Sequence, residues 1–300
     1  MLHVFHSDRY VPTLPDGHRF PINKYQLIRE QLLYEGTLAP EQLTETQPID
    51  PRHILAVHTE EYWQTASTLT LAPRAVRKLG FPQSETLVDR SRRSLQGTLS
   101  ALEAAMEHGI GMNIAGGTHH AYPGHGEGFC LLNDLAVSAQ FALDHGWAQR
   151  VLIVDLDVHQ GNGTAVVFQQ DPRVFTFSMH GADNYPLRKE RSDLDVDLPT
   201  GTSDLEYLGI LKQHLPALIS QHEPDVVLYQ SGVDILQGDR LGKLAVSHRG
   251  CRERDEWVLG LCQDHEIPVA VSMGGGYGHR LVDTVEAHAN TFRVAVDLFD

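Results

Sequence analysis

Short apolar runs that end in polar or glycine-rich residues recur along this chain. Five of them, each with the polar or glycine-rich residues that follow it, are MNIA before GGTHH, VLIV before DLDVHQGNG, VFTF before SMH, VVLY before QSGVD, and VAVSM before GGGYGH. A sixth run, HILAVH around Leu55, is similar in composition. Short continuous apolar runs bounded by turn residues are typical of buried parallel strands. We therefore predict that these six runs are strands of a parallel sheet.

Helical patterns lie between the apolar runs. The segments SRRSLQGTLSALEAAMEHG and LNDLAVSAQFALDHG each end in a glycine suited to a C-cap, and SDLEYLGILKQHLPALISQ opens with Ser203 and Glu206 at capping-box spacing. Alternating strands and helices predict an open parallel sheet covered by helices on both faces. No repeat, low-complexity tract or linker divides the sequence, so we expect residues 1–300 to form one domain.

The composition argues against several classes of protein. The chain has 24 Lys and Arg against 39 Asp and Glu, a net charge of −15, which disfavours nucleic acid and would suit a cationic substrate. No window approaches the roughly 18 consecutive apolar residues of a membrane span. The start MLHVFHSDRY lacks the apolar region of a signal peptide, and the three cysteines are far apart. We expect a cytoplasmic protein, and the sequence leaves its oligomeric state open.

The strand ends supply a candidate metal site. Ligands of open α/β sheets bind beyond the carboxyl ends of the strands, so the five polar segments should converge on one crevice. Asp157 and His159 are two residues apart on an extended segment and point to the same side, while Asp234 follows a different strand. Three nitrogen and oxygen ligands with an open fourth position are typical of catalytic zinc, although Fe(II) and Mn(II) accept the same set.

Further polar residues at these strand ends are candidates for catalysis. Beside a metal, the imidazoles of His119 and His120 could activate water and protonate a leaving group. Asp155 is placed to orient one of these imidazoles. Tyr277 follows three glycines that permit a sharp turn, and its hydroxyl could donate a hydrogen bond to a developing oxyanion.

The motifs GGTHHAYPGHGEGFCLLND, VDLDVHQGNG, SGVDILQGDRLGKLAVS and GGGYGHR occur in this order and together resemble the zinc-dependent histone deacetylase family. The segments PDGHRFPINKYQLIREQL and LGFPQSETLVDRSRRSLQGTL are similar to the class IV, histone deacetylase 11-like branch and its bacterial relatives. The resemblance implies a three-layer α/β/α, arginase-like fold with a central eight-stranded parallel sheet. It also implies hydrolysis of acetyl or longer fatty acyl groups from lysine in proteins or peptides.

The resemblance assigns roles to individual residues. The implied zinc ligands are Asp157, His159 and Asp234. His120 would be the general base and then the general acid, His119 paired with Asp155 its electrostatic partner, and Tyr277 the group that polarises the amide carbonyl. The implied substrate-binding residues are Gly128, Phe129, Leu241 and Gly275. One potassium site would comprise Asp155, Asp157, His159, Ser178 and Met179, and a second would comprise Phe168, Asp171 and Val174.

One residue departs from the better-known class I pattern. Those members carry Asp where this chain has Asn162, so the partner of His120 would be an amide rather than a carboxylate. An amide stabilises the imidazolium less, and we expect a lower pKa for His120 than in a carboxylate-paired site.

Three alternative functions would explain parts of the sequence. An arginase-type ureohydrolase needs carboxylates for a second manganese ion, whereas Gln160 and Gly161 follow His159 here. A small acylated amine, such as an acetylpolyamine, is an alternative substrate for the same chemistry. A non-catalytic binding protein is disfavoured because the ligands, both histidines and Tyr277 are all present.

Three further residues lie close to these motifs in sequence. We expect Cys130 to be a packed thiol rather than a nucleophile, because free cysteine is among the most buried residue types. We expect His125 and Glu127 to belong to a solvated loop.

Overall fold

The computed structural model describes residues 2–300. Within that range eight strands form a single sheet. The strands are β1 (His3–His6), β2 (Leu43–Glu45), β3 (Ile110–Ile114), β4 (Val151–Asp155), β5 (Val174–Gly181), β6 (Leu194–Leu198), β7 (Val226–Ser231) and β8 (Val269–Met273). Their order is β2-β1-β3-β8-β7-β4-β5-β6, and every neighbouring pair is parallel. The predicted eight-stranded parallel sheet is confirmed.

Ten α-helices accompany the sheet in residues 2–300. They are α1 (Lys24–Tyr34), α2 (Pro51–Ile54), α3 (Glu60–Ser67), α4 (Pro73–Leu79), α5 (Glu85–His108), α6 (Asp134–Asp144), α7 (Asn162–Phe168), α8 (Asp204–His222), α9 (His248–Asp264) and α10 (Leu281–Phe299). The predicted caps are present: α5 ends at Gly109 with φ 87°, and the side chains of Ser203 and Glu206 form a capping box at the start of α8.

Two apolar cores lie on opposite faces of the sheet. Side chains alternate between the faces of a strand, and in β4 the side chains of Val151 and Ile153 belong to one core while those of Leu152 and Val154 belong to the other. Because β4 is buried on both faces, it has the continuous apolar sequence expected of a central parallel strand. The result is the predicted three-layer architecture.

The prediction of a strand at HILAVH is wrong. Residues Pro51–Ile54 form the short helix α2, which begins where the Asp50 side chain accepts a hydrogen bond from the Arg52 backbone N–H. Asp at the N-cap and proline at the first helical position favour a helix start, and they outweigh the apolar character of the run.

Three strands were not predicted from the sequence. β1 and β2 have only four and three residues, and LDVDL of β6 alternates apolar with acidic residues at the edge of the sheet. None of them has the continuous apolar pattern of the central strands.

The last strand along the chain lies near the middle of the sheet. β8 pairs with β3 on one side and with β7 on the other. The group β2-β1-β3 is therefore joined to the group β7-β4-β5-β6 through β8. All eight carboxyl ends lie at the same edge of the sheet. No helix in residues 2–300 has the length and apolar character needed to cross a membrane.

Candidate active site

The three predicted metal ligands meet at the carboxyl ends of β4 and β7. Asp157 and His159 follow β4 and Asp234 follows β7, and one ligand atom from each lies within 4.8 Å of the other two. His159 Nδ1 lies 3.0 Å from Asp157 Oδ1 and 3.1 Å from Asp234 Oδ2. All three side chains are buried. The sequence prediction that these residues converge agrees with this geometry.

The electrostatics of this cluster suit a cation. Burial and the neighbouring Asp157 carboxylate raise the pKa of Asp234. Burial disfavours the charged form of His159, but the neighbouring carboxylates of Asp157 and Asp234 outweigh burial and raise its pKa to about 10. Asp234 Oδ2 is buried and accepts no hydrogen bond. Two buried carboxylates need a positive partner, and a divalent metal ion held by the two carboxylates and the imidazole would provide it.

Glycines allow the ligands to approach the backbone of the loop after β8. The N–H of Gly275 donates a hydrogen bond to Asp157 Oδ2 over 2.5 Å, and its carbonyl accepts one from the N–H of Val233 over 2.9 Å. A Cβ at Gly275 would overlap the carboxylate of Asp234. Gly275, which the family resemblance implies for substrate binding, therefore lies directly against two candidate metal ligands.

His119 is paired directly with a carboxylate. Its Nδ1 lies 2.7 Å from Asp155 Oδ2, and both side chains are buried. Burial opposes a charged imidazole, but the attraction of Asp155 outweighs burial and raises the pKa of His119. His119 Nε2 lies 4.0 Å from Asp157 Oδ1, so the ring extends from Asp155 towards the metal cluster.

His120 is paired with an amide. His120 Nδ1 lies 2.6 Å from Asn162 Oδ1, and Asn162 Nδ2 donates to Glu127 Oε1 over 2.8 Å. A carboxylate only accepts hydrogen bonds, so Glu127 fixes the amide with its NH₂ towards the carboxylate and its oxygen towards the ring. His120 must then carry its hydrogen on Nδ1, which leaves Nε2 free to accept a proton.

The protonation of His120 differs from that of its neighbour. Burial, together with the adjacent His119 and His159, lowers the pKa of His120 well below its usual value. The ring is therefore neutral near pH 7, as a general base must be before it accepts a proton.

The sequence prediction missed the contact between Glu127 and the candidate site, and the expected place of Glu127 in a solvated loop is wrong. The side chain is 3% exposed and accepts a hydrogen bond from Tyr185 Oη over 2.5 Å in addition to that from Asn162. Burial alone would raise the pKa of Glu127, but hydrogen bonds from Lys78, Tyr185 and Asn162 outweigh burial and lower it. The sequence contained one signal for this role of Glu127. It is the acidic residue in GEGFC, in a chain that has an amide rather than a carboxylate at position 162.

His125 lies between this site and the surface. Its Nε2 lies 3.1 Å from Glu127 Oε2 and 2.7 Å from Lys78 Nζ, and its side chain is about one-third exposed. The expectation of a solvated position therefore fits His125 better than Glu127.

Tyr277 is held by two residues that sequence reasoning did not single out. Its backbone N–H donates to Asp239 Oδ2 over 2.6 Å, and its carbonyl accepts from Arg240 Nε over 2.8 Å. Burial, reinforced by the Asp234 and Asp157 carboxylates, raises the pKa of the phenol well above its usual value. The hydroxyl therefore keeps its proton and can act as a hydrogen-bond donor.

A buried lysine supports the same loop from behind. Lys24 Nζ donates to the carbonyl of Gly274 over 3.0 Å and lies 5.7 Å from the centroid of the Tyr277 ring. Burial lowers the pKa of Lys24 to about 8, although the carboxylates of Asp234 and Asp157 act in the opposite direction. The sequence reasoning did not identify Lys24, because a single lysine 250 residues from its partner leaves no local pattern.

A cavity of about 280 Å³ leads from the surface to these groups. His120, His159 and Tyr277 lie among its lining residues, together with Gly128, Phe129 and Leu241 of the predicted substrate-binding set. Gly128 has φ 57°, and a Cβ there would approach His120 Cδ2 to 2.5 Å. Only glycine therefore allows the wall to pass so close to the imidazole. A smaller cavity of about 40 Å³, lined in part by Gly275, lies beside the metal cluster.

The sequence matches the family model of the histone deacetylase domain over residues 18–292. The chain belongs to this family. An uncharacterized protein of Picosynechococcus sp. is 47% identical over 296 residues, which cover 99% of this chain and 98% of the relative. Histone deacetylase 2 of Arabidopsis thaliana is 32% identical, covering 87% of this chain and 70% of that protein. Acetoin utilization protein AcuC of Staphylococcus aureus is 29% identical, with 87% and 72% covered.

Solved structures of family members share the fold. The HD domain of HDA15 has a TM-score of 0.83 at 24% identity and covers 99% of this chain and 88% of its own. A histone deacetylase homologue from Aquifex aeolicus also has a TM-score of 0.83, at 23% identity, with 97% and 82% covered. Family membership makes this chain a hydrolase that acts on amide bonds, in a family that depends on a metal.

The residues implied for potassium lie in two places in this deacetylase-family chain. Asp155 and Ser178 are neighbours in the register of β4 and β5, and Ser178 Oγ lies 2.9 Å from His180 Nδ1. At the second place, the carboxylate of Asp171 pairs with Arg173 over 2.6 Å, and its carbonyl accepts from the N–H of Val174. Potassium at either place stays a prediction.

Cys130 is a packed thiol, as expected. Its side chain is buried, and its Sγ lies 3.4 Å from the carbonyl oxygen of Gly128, a residue that lines the cavity. Burial raises the pKa of this thiol well above its usual value. A protonated thiol is a poor nucleophile, which agrees with the expectation that Cys130 is not a nucleophile.

Proposed function

We propose that this chain is a zinc-dependent lysine deacylase that hydrolyses the amide of acyl-lysine in proteins or peptides. The observation that carries the proposal is the neutral His120 imidazole and the Tyr277 hydroxyl beside the buried cluster of Asp157, His159 and Asp234, at the inner end of a cavity. Asn162, with PDGHRFPINKYQLIREQL and LGFPQSETLVDRSRRSLQGTL, supports a class IV type.

The three ligand residues would hold the metal with two oxygens and one nitrogen. A zinc ion bound there would polarise the acyl carbonyl and lower the pKa of a water molecule. His120 Nε2 takes a proton from the attacking water, while its Nδ1 hydrogen remains on the oxygen of Asn162. The Tyr277 hydroxyl donates a hydrogen bond to the carbonyl oxygen as negative charge develops on it.

The same histidine completes the reaction. When the C–N bond breaks, His120 returns the proton to the departing amine. The products are the peptide with a free lysine side-chain amine and a carboxylic acid. The attraction of Asp155 raises the pKa of His119 and so favours a charged imidazole beside Asp157, one of the proposed metal ligands. Gly128 and Phe129 guide the aliphatic part of the lysine through the cavity.

The size of the inner cavity favours short acyl groups. Roughly 10–15 Å³ of accessible cavity volume holds one water molecule, so a cavity of about 40 Å³ is close in size to an acetyl group. We therefore propose that acetyl is preferred over long fatty acyl groups.

Turnover on a peptide series tests the function and the acyl preference together. Zinc-loaded protein is given one lysine peptide carrying acyl groups from acetyl to myristoyl, and products are quantified by mass spectrometry, with His120→Ala as the blank. We expect acetyl to be removed fastest. Preferential removal of myristoyl would refute the short acyl pocket, and no turnover on any peptide would refute lysine deacylation.

The metal and the remaining features of the proposal have their own measurements. We expect one zinc ion per chain after reconstitution, and two ions per chain would favour the arginase-type alternative. We also propose that potassium binds at the two places described and that residues 1–300 form one domain. We propose a cytoplasmic location, because the three cysteines are free and buried.

A further inference from the structure

The mouth of the cavity is positively charged in a protein of negative net charge. Arg19, Arg77 and Lys78 line it, and the lining residues described by the structure include no carboxylate. The whole chain carries a charge of −15. The charge at the mouth is therefore opposite in sign to that of the molecule as a whole.

Two of these cations have no side-chain partner. Lys78 pairs with the buried carboxylate of Glu127. In residues 2–300, the guanidinium groups of Arg19 and Arg77 form no hydrogen bond or ion pair, and both side chains are exposed. Asp239 is close in sequence to the mouth residue Leu241, but its oxygens accept backbone N–H groups of Leu241, Gly242 and Tyr277. The positive charge of Arg19 and Arg77 is therefore available to a ligand.

Helix electrostatics explain only part of this arrangement. Arg77 lies in the last turn of α4, where a cation interacts favourably with the helix dipole. Arg19 belongs to a separate segment before α1 and has no such reason to be at the mouth. Two segments that are distant in sequence thus place unpaired guanidinium groups around one opening.

The end of α4 is hydrogen-bonded to Gly128 and Phe129, which line the cavity. The N–H of Gly128 donates to the carbonyl of Lys78 over 3.2 Å, and the N–H of Phe129 donates to the carbonyl of Leu79 over 2.8 Å. Arg77 is therefore held close to the path of the substrate. The residues on either side of an inserted lysine would lie at the mouth of the cavity, which Arg19 and Arg77 line.

We propose that the substrate is an acyl-lysine in an acidic peptide segment, whose carboxylates Arg19 and Arg77 recognise. This inference rests on the proposed deacylase function. Arginine suits the task because its planar guanidinium binds a carboxylate through two parallel hydrogen bonds. A cationic acetylpolyamine would instead place its amines beside two unpaired positive charges, and like charges at a binding surface are unfavourable. The mouth thus opposes the polyamine alternative, which the net charge alone would favour.

Three matched peptides measure the charge preference. Each carries one acetyl-lysine, flanked on both sides by two Glu, two Gln or two Lys residues. We expect kcat/KM to fall in the order Glu, Gln, Lys, with about a tenfold difference between the extremes at low salt, because exposed ion pairs are individually weak. The difference should shrink at high salt as the charges are screened. Equal values, or a preference for the Lys peptide, would overturn the inference.

Substitutions at the mouth assign the preference to named residues. The double variant Arg19→Gln with Arg77→Gln should bring the ratio of kcat/KM between the Glu and Lys peptides close to one. Arg74→Gln is the matched control for the single variant Arg77→Gln, since Arg74 is exposed on the same helix, its substitution changes the net charge by the same amount, and it does not line the cavity. An equal loss of preference in the control would show a general effect of charge and refute the specific role of the mouth.

A binding measurement separates this inference from the proposed function. Fluorescein-labelled versions of the three peptides are titrated into zinc-loaded His120→Ala, and affinity is read by fluorescence anisotropy without turnover. Tighter binding of the Glu peptide supports the inference even if the wild type hydrolyses none of the three, a result that would refute the deacylase proposal. Turnover of all three peptides with equal affinities supports the deacylase proposal and refutes this inference.

Discussion

Two adjacent histidines have opposite surroundings in this site. The ring centroids of His119 and His120 lie 4.0 Å apart, and both rings are buried. His119 faces the carboxylate of Asp155 directly, and its pKa is raised. His120 faces the amide of Asn162, and its pKa is lowered. With burial the same for both, the hydrogen-bond partner and the neighbouring charges decide which ring has the raised pKa and which has the lowered one.

A carboxylate also lies near His120, but Asn162 stands between the two side chains. Glu127 orients the amide of Asn162, and the amide orients the ring. The ring therefore receives a fixed orientation and tautomer without direct contact with a negative charge. Both imidazole rings are therefore held in a fixed orientation, but only His119 has a carboxylate in direct contact that stabilises its charged form.

Removing the neutral ring has the largest expected effect. His120→Ala should lower kcat by about 10²–10⁴-fold, the usual contribution of a general acid and base. Zinc content per chain, measured on the same sample, serves as the control because His120 is outside the proposed ligand set. Retained turnover with full zinc content would contradict the assignment of His120.

Removing the distant carboxylate tests orientation. Glu127→Gln puts an amide opposite Asn162, so that the Asn162 side chain can turn over and the His120 tautomer is no longer fixed. Supporting hydrogen bonds of this kind are typically worth about 10–100-fold, and we expect a loss of about tenfold in kcat with little change in KM. A change in KM alone would show that Glu127 acts on substrate binding instead.

Replacing the amide by a carboxylate should make His120 resemble its neighbour. Asn162→Asp would stabilise the imidazolium and raise the pKa of His120, by about one unit for a nearby opposite charge. Because the base must be neutral, the acidic limb of kcat/KM should move to higher pH by that amount. An unchanged pH profile would contradict the comparison, and the double variant with Glu127→Gln removes repulsion between the two carboxylates as a control.

The smallest effect is expected at the outer end of the chain of hydrogen bonds. Tyr185→Phe removes the hydroxyl that donates to Glu127 and keeps the ring that lines the cavity. A hydrogen bond to a charged group contributes roughly 1.5–3 kcal/mol to stability, so denaturant unfolding should show a measurable loss. We expect kcat to fall only about twofold, since Asn162 and Lys78 still hold Glu127. A loss equal to that of Glu127→Gln would show that Tyr185 is needed for the orientation itself.

The sequence was sufficient to predict the central strands and the convergence of Asp157, His159 and Asp234. Asp157 and His159 follow a continuous apolar run and are two residues apart, and an extended segment with that spacing predicts them on one side. In the structure both lie just beyond the end of β4. Asp234 required only the rule that parallel strands end at the same edge. These predictions succeeded because each depends on a local pattern and on one general property of parallel sheets.

The parts that the sequence did not reveal depend on contacts between distant residues. The positions of Glu127 and Lys24 are set by partners elsewhere in the chain, 35 residues away at Asn162 and 250 residues away at Gly274. The error at HILAVH has a different cause. Its apolar residues suit a buried strand, and the helix start at Asp50 and Pro51 was decisive instead.

The central position of β8 has a consequence for the time at which the site forms during protein synthesis. Seven strands leave the ribosome before β8, yet β3 and β7 become joined in one sheet only when Val269–Met273 is in place. Up to that moment His119 and His120 belong to one half of the sheet and Asp234 to the other. A nascent chain therefore has no complete candidate site until β8 and the loop that carries Tyr277 have been made.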